Sequence, residues 1–139
     1  GPTPVMMALD ASKRDVCTVR RERTDSASQA LIMLNGTQFV ETARATADIL
    51  LQNHGTTNPN DLIQEAFKKL TSRSPSEQES EILQNLLEEQ KKYFTDDRET
   101  EKFLKVGFYQ AKAKDKKYLA AVTSLVSTLM NFDGTISKR

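Results

Sequence analysis

Three arginines, Arg20, Arg21 and Arg23, stand just ahead of a helix-start signal at Ser26. A guanidinium is a planar fork of donors that matches a carboxylate or a phosphate. The first amides of a helix carry partial positive charge and point outward at the same place. The chemistry this spacing offers is capture of an oxyanion or of an anionic partner. The competing reading is internal: the three arginines pair with Glu22, Asp25, Glu41 or the acidic stretch 77–101, or with a neighbouring domain, and pin the N-terminal segment in place.

Other candidates carry less. Cys17 lies near those arginines, which would favour a thiolate. A nucleophile also needs a base, and the one histidine is His54, so Cys17 is expected to be buried and inert. His54 alone falls short of the about four ligands of a zinc site; it is expected to meet the last carbonyls of its own helix. Asp96, Asp97, Glu99 and Glu101 lack the glycine turn and ligand alternation of a calcium loop, and read as a capped, solvated helix start. Lys112, Lys114, Lys116 and Lys117 have only Tyr109 and Tyr118 nearby for stacking, so nucleic-acid binding is not expected. Paired catalytic carboxylates, a phosphate loop and a nucleophile elbow are not recognisable, so the sequence assigns no catalytic residue and no metal ligand.

Composition narrows the setting. The chain has 139 residues, 37% of them hydrophobic, which suits one core and not two. Twenty bases against nineteen acids leave a net charge of +1, without the basic excess of a dedicated nucleic-acid binder. One cysteine and one histidine exclude a disulfide framework, a Cys/His zinc site and a haem-attachment C-x-x-C-H within these residues. No apolar run approaches the ~20 residues of a membrane span. Gly1-Pro2 matches what engineered protease sites leave after tag removal. Residues 3–139 are therefore expected to form a single helical domain cut from a larger multidomain protein. Charge is uneven: residues 76–102 hold four bases and nine acids, residues 103–139 seven bases and two acids. Those two regions are expected to lie close together.

The elements that must position these residues read as helical nearly throughout. Ser26 with Gln29, and Ser76 with Glu79, have the form of capping boxes. Asn58-Pro59 pairs an N-cap with proline at the first helical position. Gly36 is expected to end the first helix in a left-handed conformation. Apolar stripes follow at Phe39, Val40, Ala43, Ala47, Leu50 and Leu51, at Leu62, Ile63, Ala66, Phe67 and Leu70, and at Ile82, Leu83, Leu86 and Leu87. A shorter helix runs through Phe103 and Leu104 toward Gly107, residues 110–117 form a lysine-rich loop, and a last helix carries Leu119, Val122, Val126, Leu129 and Met130. None is read as apolar all round, so each must bury a stripe against another. Val16 to Val19 suggests an extended stretch. The expected fold is all-α: an irregular antiparallel bundle of five or six helices with an extended N-terminal segment.

Several runs are distinctive: Cys17-Thr18-Val19-Arg20-Arg21-Glu22-Arg23-Thr24, Gln29-Ala30-Leu31, Leu34-Asn35, Gln38-Phe39-Val40-Glu41 and Ala43-Arg44. Together they resemble the C-terminal domain of unknown function in planctomycete-type cytochrome-c-associated proteins, planctomycete-specific domain one. That family's first run continues Thr-Asn-Thr-Pro-x-Gln-Ala-Leu and its later turn reads Leu-Asn-Asp-Pro-Gln-Phe-Val-Glu. Here Asp25, Ala27, Gly36 and Thr37 depart from it. Phe67 to Ser76 is similar to the family's phenylalanine helix and its Gly-Arg-Pro-Pro-Thr turn, with Ser72 and Ser74 departing. Leu129-Met130-Asn131-Phe132-Asp133 is similar to its closing Leu-Leu-Asn-Leu-Asp.

The resemblance implies an exported bacterial parent of the periplasm or cell envelope, with haem held by upstream domains and no cofactor in this chain. It supplies no catalytic residues. The function expected is that of a non-catalytic accessory module packing on sibling domains or a partner. The alternative is that Arg20, Arg21 and Arg23 lend anion-binding groups to an active site shared with an upstream domain.

Overall fold

The computed structural model describes residues 3–12, 17, 24, 26–54 and 58–136. Eight helices occur among them, and no strand does: α1 Pro4–Ala8, α2 Ala27–Asn35, α3 Thr37–His54, α4 Pro59–Thr71, α5 Glu77–Tyr93, α6 Asp97–Leu104, α7 Lys116–Met130 and α8 Asp133–Ile136. Helices α2 to α7 are the six that the sequence leads one to expect, in an all-α bundle.

Their starts follow from local chemistry. Ser26 Oγ accepts from the Gln29 amide at 3.4 Å while Gln29 Oε1 accepts from the Ser26 amide at 3.0 Å. Ser76 and Glu79 repeat the exchange at 3.2 and 2.8 Å. Asn58 caps α4 through the Asn60 amide, with Pro59 in the first turn. Asp96 and Asp115 cap α6 and α7.

The core is built around α7. From Tyr118 to Met130 this helix carries no charged side chain. Leu119, Ala120, Ala121, Val122, Leu125, Val126 and Leu129 are all buried, which leaves almost no solvated side. This corrects the expectation that every helix has a polar face. Helices α3 and α5 pack most extensively on α7, and α2, α4 and α6 add to the cover. Thr123, buried within α7, satisfies its hydroxyl on the Leu119 carbonyl at 2.7 Å. Leu50, Leu62, Ile63, Phe67 and Leu87 complete the centre.

Three local expectations are corrected, and one further helix is added. The N-terminal segment opens with a helix rather than an extended stretch, because Thr3 caps the Met6 amide and Pro4 sits in the first turn. Residues 16–19 lie outside the described residues, apart from Cys17. Gly36 has φ −66°, not a left-handed value. Glycine fits there because a Cβ would lie 2.6 Å from the Ile32 carbonyl oxygen and 3.0 Å from the Phe39 ring, where α2 turns directly into α3. Ile82 faces solvent, while Leu83 and Leu87 form the buried face of α5, with Leu86 packed partly buried beside them and Phe94 closing it. Finally, the short helix α8 follows α7, with Phe132 against the Phe67 ring at 5.9 Å.

Candidate functional site

Three charged residues break the apolar face of α3 at helical spacing: Glu41, Arg44 and Asp48. All three reach the same target, the irregular segment between α6 and α7. The Glu41 carboxylate accepts the amides of Phe108 at 2.6 Å and Tyr109 at 2.5 Å. Gly107 makes that approach possible: its φ is +80°, and a Cβ would stand 2.4 Å from the Glu41 carboxylate. Arg44 Nη2 donates to the Tyr109 carbonyl at 2.8 Å. Asp48, fully buried, accepts the Tyr109 hydroxyl at 2.8 Å, the Lys112 amide at 3.0 Å, the Ala113 amide at 2.8 Å and the Gln52 side-chain amide at 3.0 Å.

The electrostatics follow from these bonds. Burial pushes the Asp48 carboxyl up, but the Lys112 amide, the Tyr109 hydroxyl, the Ala113 amide and Gln52 together outweigh it, and Asp48 lies below the ordinary carboxylate value. The Tyr109 hydroxyl is raised, first by its bond to Asp48 and then by burial. Glu41 Oε1 and both oxygens of Asp48 thus accept from donors of the protein itself. Arg44 differs. It is only 4% exposed, its Nε has no hydrogen-bond partner, and no carboxylate among the described residues pairs with it.

Arg44 lines a cavity of about 250 Å³ between α3, α6 and the start of α7. Leu104 and Leu119 give it an apolar side, and Glu101, Lys105 and Lys116 line it as well. Glu101 bridges both lysines, at 3.9 Å to Lys105 and 3.3 Å to Lys116. Two of the three lining cations therefore share that carboxylate, and Arg44 does not pair with it.

The arginines singled out in the sequence, Arg20, Arg21 and Arg23, lie outside the described residues. Cys17 is exposed, not buried as expected, and is not among the core residues, which come from α3 to α7. His54 does close α3, but its Nε2 pairs with Glu65 of α4 rather than with helix carbonyls. That contact holds the Glu65 carboxyl below its usual range. Glu41 accepts two backbone amides through Oε1. The acidic and basic regions do meet: besides the Glu101 bridges, Lys117 pairs with Asp97 at 3.0 Å. Among the described residues no group of three His, Cys, Asp or Glu side chains could hold a metal ion, and no helix is long and apolar enough to cross a membrane. Arg44 and Asp48 were not singled out as site residues; the available signal was two charges beside the Ala43–Ala47–Leu51 stripe.

An all-helical module with a buried cation and a clasped connecting segment is the class that fold and site define. The defining pattern of the PSD1 family, a protein of unknown function (DUF1553), matches residues 1–87, and the chain belongs to that family. No curated protein matches the chain, and no solved structure does.

Proposed function

We propose that the chain is a non-catalytic interaction module that packs on sibling domains of a longer protein. One observation carries this reading. Helix α2 is rich in apolar side chains, Ala27, Ala30, Leu31, Ile32, Met33 and Leu34, yet Gln29 is its one buried residue. Leu31 is 60% exposed and Leu34 42%. A helix of that composition is normally enclosed, and a grouped apolar surface marks a contact site. Helix α1 packs on α2 and leaves Val5, Met6 and Met7 exposed. Methionine adapts its shape readily to a partner.

The resemblance to planctomycete-type cytochrome-c-associated proteins supports a parent exported to the periplasm or cell envelope, with haem bound upstream. Its upstream domains are then the surfaces that cover α2. Leu31→Glu combined with Leu34→Glu is expected to change the stability of this domain by less than about 0.5 kcal/mol, as exposed substitutions usually do. Binding to the upstream part of the parent should be lost. Unchanged binding overturns the assignment, and a parent without an upstream C-x-x-C-H and a secretory signal overturns the cytochrome context.

A further inference from the structure

We propose that the cavity beside Arg44 is a binding site for a small oxyanion, a carboxylate or a phosphate, with Arg44 as its floor and Lys105 and Lys116 as its rim. The argument begins with the guanidinium. Arginine stays protonated at any pH the fold survives, and a buried charge without a counterion is costly. Arg44 is nine-tenths buried or more, donates one identified bond, to the Tyr109 carbonyl, and keeps Nε without a partner. The carboxylates one turn to either side, Glu41 and Asp48, lend it negative charge nearby but form no direct ion pair with it. Glu41 Oε1 accepts the Phe108 and Tyr109 amides, and Asp48 accepts from four donors of its own.

The cavity completes the case. Its volume of about 250 Å³ exceeds what a single water fills and suits a ligand of a few heavy atoms. Arg44, Lys105 and Lys116 line it with Glu101, while the Glu41 and Asp48 carboxylates lie behind the lining at Gly107, Tyr109 and Ala113. Glu101 is shared between the two lysines at the exposed rim and competes with the ligand for them. Leu104 and Leu119 give a short hydrocarbon arm something to lie on.

The test titrates the 139-residue chain with inorganic phosphate and, separately, with butyrate, at constant ionic strength, following backbone amides by NMR. Saturable shifts at Tyr109, Gln110 and Ala111 are expected with at least one probe, along with a rise in melting temperature as the anion binds the folded form. Tighter phosphate binding identifies a phosphate site, and tighter butyrate binding a carboxylate site that uses the leucines. Lys105→Gln with Lys116→Gln, both on the exposed rim, should weaken binding by about threefold to tenfold, the range expected for charges near a surface. Glu101→Gln should tighten it by about threefold on the same grounds. Arg44→Lys keeps the charge but loses the fork, and should abolish saturation while the fold persists. Shifts that never saturate with either probe, or an affinity untouched by the rim variants, overturn the proposal; the rim variants decide even if the Arg44 variant does not fold.

Discussion

Replacing Asp48 by asparagine tests whether the clasp between α3 and the 105–115 segment is a structural keystone. The change is nearly isosteric, so packing is kept and hydrogen bonding alone is altered. Asp48 accepts from four donors: the Tyr109 hydroxyl, the Lys112 and Ala113 amides and the Gln52 side chain. An asparagine oxygen can keep one side of that set, while its NH2 group confronts donors on the other. Each buried donor left without an acceptor costs about 1–3 kcal/mol. With two orphaned, the loss is about 2–6 kcal/mol, or about 8–23 °C in Tm for a chain of this size. The pH dependence has a definite sign. Asp48 is held below its ordinary value of 3.8, so its contribution is complete above that pH and fades as pH falls through the lower folded value. The variant should lack that part of the acid transition. Urea denaturation at pH 7 and pH 3, with amide exchange read at Lys112 and Ala113, is the assay. A loss under 0.5 kcal/mol by the usual tolerance for neutral sites, or undiminished protection of those two amides, refutes the reasoning.

Two further outcomes are expected. Ser72 closes α4 with φ 62°, a left-handed conformation that costs a non-glycine residue about 1–2 kcal/mol. Ser72→Gly should therefore stabilise by about 0.5–1 kcal/mol after the extra freedom of glycine in the unfolded chain is counted, seen as a higher Tm. Glu79 is held at about 2 by the two-pronged bond from Arg73 and by the Ser76 amide, so its contribution is present above 4.5 and lost as pH falls toward 2. Glu79→Gln should flatten the stability curve over that window by about 1 kcal/mol, a discounted figure because Arg73 is half exposed; an unchanged curve would show the pair to be idle.

What could be read in the residue order was what neighbours decide. The capping boxes at Ser26 and Ser76 and the Asn58-Pro59 start are settled within four residues, and the structure shows each of them. Thr3-Pro4 carries the same signature as Asn58-Pro59 and starts α1, though a five-residue helix has no apolar stripe to announce it. The clasp is different in kind. Glu41, Arg44 and Asp48 find their partners 61 to 68 positions away, and most of those partners are backbone groups, which every residue type possesses. Nothing in the composition of a lysine-rich loop reveals that its amides are spoken for. The exposure of Ile82 was hidden for a related reason: a stripe two residues wide does not say which of Ile82 and Leu83 meets α7.

The place of α7 in the chain has a consequence for biosynthesis. It is translated after every helix it packs against except α8, and α3, which it covers most, precedes it by some sixty residues. At about 5–20 residues per second, the faces of α3, α4 and α5 stay uncovered for several seconds on the ribosome. A chain stopped before Lys116 has no axle to close on, and is a client for chaperones rather than a smaller folded unit.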